Sequence, residues 1–215
     1  MTAAARLPPA PFVYPIVDAA LVAPDRVGAV VAALAAAGAR VLQLRAKAVP
    51  DGVFERMAAD AVSAAHAAGA LLVVNDRPDV ARVAAADGVH VGQDDLAPAD
   101  VRRLLPAAAM VGVSTHDRAQ LEAAAASGAD YVAVGPVFPT ASKDRPDPVV
   151  GLDLVRAARA MTRLPLVAIG GITADNAAGV IAAGADGVAV IAALLRAPDP
   201  GEAYRRMDAA LRPAR

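Results

Sequence analysis

Five segments share one grammar: AAGARV, AAGALLV, AADGVHV, ASGADYV and AAGADGV each run from an Ala-rich stretch through a small-residue turn into a strand-forming run. Glycine in such a turn suits the left-handed position that closes a helix before the chain enters a strand. Helix, turn and strand are thus written repeatedly, and this repetition constrains the fold more than any other feature. Extending the pattern gives eight strand candidates, at 12–17, 41–44, 70–74, 88–92, 110–113, 131–134, 166–169 and 187–190. Strands alternating with helices pair in parallel through right-handed crossovers, so eight such units predict an α/β fold closed into a (β/α)8 TIM barrel. An open doubly wound sheet is the competing topology, but no G-x-G-x-x-G follows the first strand candidate, where a dinucleotide fold carries its fingerprint.

At 215 residues the chain suits one barrel-sized core, and no linker divides it. A single catalytic domain over 1–215 is expected, with 1–10 a loose N-terminal segment. Ala supplies nearly half of the 57% hydrophobic residues and aromatics reach only 3%, so Val, Leu and Ile must build the core. Disorder is excluded for most of the length. With 21 basic and 22 acidic residues there is no global field to attract nucleic acid or an acidic membrane, so an anion site must be local. The absence of cysteine rules out disulfides, Cys-ligated zinc and thiol nucleophiles. The start lacks a signal-peptide core, and the longest apolar stretch, 27–39, is too short to span a bilayer. These features predict a cytoplasmic protein acting on small molecules, with homo-oligomerisation left open.

In a TIM barrel the active site lies at the C-terminal ends of the strands, so the residues there are the informative ones. The second strand points Gln43 and Arg45 inward by its period of two, with Lys47 following at the mouth. The third ends in Asn75, Asp76 and Arg77. The fourth turns His90 inward as a hydrogen-bonded interior residue and then delivers Gln93, Asp94 and Asp95; the fifth ends in Ser114, Thr115 and His116. Lys47 and Lys143 are the chain's two lysines and both fall in βα loops, which suggests compact ammonium groups meeting phosphate. Asp76 and Asp95, beside Arg45 and Lys47, suit a diphosphate held through Mg²⁺, which takes one or two carboxylates plus phosphate oxygens. Helix capping is the alternative for each, and for Asp94 it is the preferred reading. AIGGIT and VIAAL end the last two strands with small residues that let backbone N–H groups reach an anion, the usual barrel phosphate site. The irregular stretch 135–151 reads as a mobile lid. His66 receives no role. His116 either shuttles a proton or sits in a first helical turn, and no G-x-S-x-G supports a Ser-His-Asp hydrolase.

In order along the chain, QLRAK, VVNDRPDVA, DGVHVGQDD, VGVSTHD, DYVAVGPVFPTASK, AIGGIT and DGVAVIAAL resemble the thiamine phosphate synthase family over nearly the whole length. The resemblance implies that hydroxymethylpyrimidine diphosphate is joined to the ring nitrogen of hydroxyethylthiazole phosphate, with pyrophosphate released by a dissociative route. It further implies that Gln43, Arg45, Lys47, Asn75, Ser114 and Lys143 bind the pyrimidine diphosphate and that Asp76 and Asp95 hold Mg²⁺. Arg45, Lys47, Ser114 and Lys143 are then the catalytic set. Thr140, Ser142 and backbone groups at Gly171, Ile191 and Ala192 would take the thiazole phosphate. Ala46 replaces a frequent acid and Ala192 a common Ser. The competing expectations are a thiazole tautomerase, which would make His116 catalytic, and a non-catalytic phosphate-binding barrel.

Overall fold

The computed structural model describes residues 7–140 and 148–212. Eight parallel strands close in sequence order into one barrel: β1 (Phe12–Asp18), β2 (Val41–Arg45), β3 (Leu71–Asn75), β4 (Gly88–Val91), β5 (Met110–Thr115), β6 (Tyr131–Val134), β7 (Leu166–Ile169) and β8 (Gly187–Val190). Closure comes from β1 beside β8, with Tyr14 opposite Ala189. The helices wrap the outside: α1 (Val27–Ala36), α2 (Asp51–Ala67), α3 (Pro78–Val83), α4 (Pro98–Leu104), α5 (Arg118–Ala126), α6 (Gly151–Met161) and α7 (Ala174–Ala182). After β8 the chain makes only the four-residue α8 (Ala192–Leu195), and α9 (Pro200–Ala210) closes the ring against α1 and α7. Residues 1–6 of the expected loose N-terminal segment lie outside the described residues, while Leu7 packs against the barrel interior. Among the described residues no helix is long and apolar enough to cross a membrane.

Strand periodicity splits the core into two layers. Leu42, Leu44, Val74, Val89, Val111, Val132 and Val188 pack outward with the helices, whereas Phe12, Tyr14, Ile16, Val41, Val73, Met110, Tyr131 and Val167 fill the barrel. Three of the six aromatics, Phe12, Tyr14 and Tyr131, lie inside the barrel, and Phe12 and Tyr131 need neighbours without side chains. A Cβ on Gly112 would lie 2.1 Å from Tyr131 Cζ, so glycine there is what admits the Tyr131 ring.

The repeated turns are not all alike. Gly38, Gly69, Gly128 and Gly184 take positive φ and close helices as expected, but in AADGVHV it is Ala85, at φ 54°, that does so. Gly88 lies inside β4 instead, where a Cβ would meet the Met110 carbonyl at 2.4 Å.

A second repeated device appears at the barrel's N-terminal end. Asp87, Asp130 and Asp186 immediately precede β4, β6 and β8, and each carboxylate accepts from the first or second amide of the strand before: Leu72 at 2.9 Å, Val111 at 2.8 Å and Leu166 at 2.8 Å. Each also meets a side chain from a flanking helix, His66, Arg102 or Arg159. His66 is thereby a structural tie between α2 and the entrance to β4. Asp130→Ala strips Val111 N–H and Arg102 of their shared acceptor and is expected to cost about 2 kcal/mol. Tm should fall by about 4–8 °C while turnover at the opposite end of the barrel is retained; an unchanged Tm would contradict the tie.

Candidate active site

The strand ends converge on one cavity of about 480 Å³. Its floor is Tyr14, Gln43, His90 and Tyr131; Arg45, Asn75, Ser114 and His116 line one side, and Thr140, Gly171, Thr173, Ile191, Ala192 and Arg196 line the other. Sequence positions spread over most of the chain are thus brought to one opening, because parallel strands all end on the same face.

Arg45 is paired with a carboxylate outside the expected acidic rim. β1 and β2 pair with Asp18 opposite Arg45, and Arg45 Nη1 donates to Asp18 Oδ2 at 2.6 Å. Asp18 is 2% exposed and also accepts from Ala20 N–H at 2.9 Å, so the guanidinium is held at the cavity wall by a buried carboxylate. That carboxylate was one residue beyond the strand end read from sequence.

Lys47 does meet the acidic rim, in an ion pair with Asp76. Asp76 has left-handed φ, 62°, and its N–H donates to the His90 carbonyl at 2.8 Å. Its Oδ2 is buried without a well-formed hydrogen bond. Burial pushes the Asp76 carboxyl above its usual range, and neighbouring Asp95 adds to the shift while Lys47 opposes it. Asp95 accepts from Gly92 N–H at 2.8 Å, which folds its loop back toward this pair. Neither carboxylate caps a helix, and Asp94 does not either: α3 starts at Pro78 after Arg77, and α4 follows Ala97, with no side-chain cap at either end. Proline at the first helical position makes a side-chain acceptor less necessary there. Arg77 pairs with Asp51 at 2.7 Å and Asp79 at 2.6 Å, tying α2 to α3.

Ser114 and His116 both line the cavity. His116 precedes α5 rather than entering its first turn, since Asp117 caps that helix by accepting from Gln120 N–H. Its Nδ1 lies 2.6 Å from the Gly135 carbonyl, an acceptor, so Nδ1–H donates and His116 fastens the start of the loop after β6. That loop continues onto β7 through Val137 N–H to Ile169 O and Phe138 N–H to Gly170 O. Ser142, Lys143 and the centre of the expected lid, 141–147, lie outside the described residues.

On the far side, Gly171 has φ 63° and a Cβ there would lie 2.4 Å from the Pro139 carbonyl, so only glycine allows the two loops to meet. Asn176 Nδ2 donates to the Gly171 carbonyl at 3.0 Å and its Oδ1 accepts from Thr173 N–H, holding this loop in place. Thr173, not Asp175, stands at the α7 cap. Arg196 adds a guanidinium to this side. No strand-end motif in the sequence marks Tyr14, Asp18, Tyr131, Asn176 or Arg196. Scarcity, the signal that marks Lys47 and Lys143, applies also to Asn176, one of two asparagines, and to Tyr14 and Tyr131, two of three tyrosines.

The profile of the thiamine monophosphate synthase family matches residues 13–194. A thiamine-phosphate synthase of Methanoculleus marisnigri is 50% identical over 180 residues, 80% of this chain and 82% of that one. One from Moorella thermoacetica is 44% identical over 172 residues, 80% of this chain and 82% of that one. The solved structure of a thiamine phosphate pyrophosphorylase from Pyrococcus furiosus superposes with a TM-score of 0.83 at 33% identity, covering 93% of this chain and 95% of that one.

Proposed function

Because the chain belongs to the thiamine monophosphate synthase family, a transferase of thiamine biosynthesis, we propose how its own residues carry out the coupling. The substrates are hydroxymethylpyrimidine diphosphate and hydroxyethylthiazole phosphate. The bond from the pyrimidine methylene carbon to diphosphate oxygen breaks, the electron pair leaves with pyrophosphate, and the thiazole nitrogen supplies the pair for the new C–N bond. No proton must move in that exchange, so the site's tasks are neutralisation of the leaving group, placement of the nucleophile and exclusion of water.

The observation that carries this reading is the division of one cavity into two different ends. At one end Arg45 and Asn75 line the cavity, with the Lys47, Asp76 and Asp95 group on the rim beside it; the other end is lined by Gly171, Thr173, Ile191 and Ala192 with Arg196. Two phosphorylated substrates need two anion subsites. Asp76 and Asp95 fit a divalent cation because two carboxylates lie side by side and the buried Oδ2 of Asp76 is met by the Lys47 ammonium without a well-formed hydrogen bond. Mg²⁺ held there would neutralise charge on the departing diphosphate. Lys47 and Arg45 reinforce that effect as fixed cations, Asp18 keeping Arg45 in position. Ser142 and Lys143 complete the proposed set from the loop after β6.

A tautomerase would need a proton shuttle, for which His116, its Nδ1–H held by the Gly135 carbonyl, offers Nε2, so the coupling assay separates the two readings. Purified protein given both substrates and Mg²⁺ should form thiamine phosphate with one pyrophosphate per product. Tautomerisation of a thiazole carboxylate phosphate without coupling would overturn the reading. Arg196→Ala should raise KM for the thiazole phosphate about tenfold, the scale of one charge-assisted hydrogen bond, leaving KM for the pyrimidine diphosphate unchanged. Equal changes in both KM values would remove Arg196 from that subsite.

A further inference from the structure

The floor of the cavity is a continuous chain of polar side chains, of which the coupling chemistry leaves Tyr14, Tyr131 and His90 without a task. Gln43 Nε2 donates to Tyr14 Oη at 3.3 Å, Tyr14 Oη meets Tyr131 Oη at 3.0 Å, Tyr131 Oη meets His90 Nδ1 at 3.0 Å, and His90 Nε2 meets Ser114 Oγ at 2.8 Å. It crosses the barrel from β2 through β1, β6 and β4 to β5. Tyr14 is 1% exposed and Tyr131 0%, and the His90 ring stacks on Tyr131 at 5.4 Å with 29° between planes.

The donors along this chain can be counted. A phenol has one proton to give. Tyr14 accepts from the Gln43 amide, and the chain's one direction that also gives the buried Tyr14 proton an acceptor sends it to Tyr131 Oη. In that direction Tyr131 gives its proton to His90 Nδ1. An imidazole that accepts at Nδ1 carries its hydrogen on Nε2, which then donates to Ser114 Oγ. Ser114 in turn is left with its hydroxyl proton directed at the cavity that it lines. Burial keeps both phenols protonated, with Tyr14 pushed up to about 12 and Tyr131 well above its ordinary value, which preserves the count.

We propose that Tyr131 is a positioning residue: through His90 it fixes the direction of a hydrogen-bond relay so that Ser114 can only donate to bound ligand, while Gln43, with one amide N–H given to Tyr14, keeps its carbonyl and one N–H for the ligand. The selective end of the relay is then Ser114. A ligand ring with an acceptor atom toward Ser114 is accepted, and one that turns an N–H there leaves two donors facing each other without an acceptor in a buried site, a strong basis for rejection. Gly112 belongs to the same device, since its missing Cβ is what lets the Tyr131 hydroxyl reach this line.

The relay itself is a statement about the folded protein; its link to substrate choice rests on the function proposed above. NMR of protein labelled with ¹⁵N-histidine, with the His90 signals identified by their loss in His90→Asn, should show a neutral ring protonated at Nε2 in the wild type. Tyr131→Phe should abolish that single tautomer, raise KM for the pyrimidine diphosphate about tenfold, and leave KM for the thiazole phosphate within twofold. A wild-type His90 carrying its hydrogen on Nδ1, or unchanged His90 signals in Tyr131→Phe, would overturn the relay whether or not the protein turns over. An intact tautomer shift with unchanged KM for the pyrimidine diphosphate would overturn the positioning role, and loss of all coupling by the wild type would count against the functional reading alone.

Discussion

Lys47→Ala is expected to lower the coupling rate by about 10²–10³, whereas His116→Asn should lose no more than about tenfold. Charge builds on the diphosphate as its bond to carbon stretches, so an ammonium at that position stabilises the transition state more than the bound substrate. Lys47 is placed for this by its ion pair with Asp76 at the rim, and its loss should appear mainly in kcat. His116 holds the Gly135 carbonyl, a loop-fastening contact that an asparagine amide can partly reproduce. A proton-shuttle chemistry would reverse the order, because removal of a general acid or base costs about 10²–10⁴. Pyrophosphate release measured in both variants decides between them, and a near-normal Lys47→Ala beside an inactive His116→Asn would refute the synthase mechanism.

Asp76→Asn and Asp95→Asn should each reduce turnover by about 10²-fold or more and raise the Mg²⁺ concentration needed for half-maximal activity. Asparagine keeps the size of the side chain and removes its charge. The fold should tolerate both changes: the Lys47 end of the ion pair is 55% exposed, and such pairs contribute about 0–1 kcal/mol. Asp95→Asn can still accept from Gly92 N–H through its amide oxygen. Unaltered turnover and unaltered metal dependence in both variants would remove these carboxylates from the metal site.

Much of this protein is legible in its sequence because its fold is made of short periods. A repeat of two places Gln43 and His90 inside the barrel, while Leu42, Leu44, Val89 and Val91 pack on its outside. Parallel strands all end on one face, so the polar residues that follow them, Lys47, Asn75, Asp76, Asp95, Ser114 and His116, had to gather at one opening. Those conclusions require only local rules and the handedness of crossovers. What no local rule supplies is which of the gathered groups face one another. Asp18 takes Arg45 because β1 and β2 pair in a particular register, and Tyr14, Tyr131, His90 and Ser114 form one line because the closed barrel brings β1, β4, β5 and β6 around a common floor. The repeated turn likewise favours glycine at the left-handed position, whereas in AADGVHV Ala85 takes it and Gly88 serves the strand, where the Met110 carbonyl leaves no room for a Cβ. Sequence fixes the direction in which each side chain leaves its own strand; distances between strands depend on register and closure, which are properties of the whole barrel.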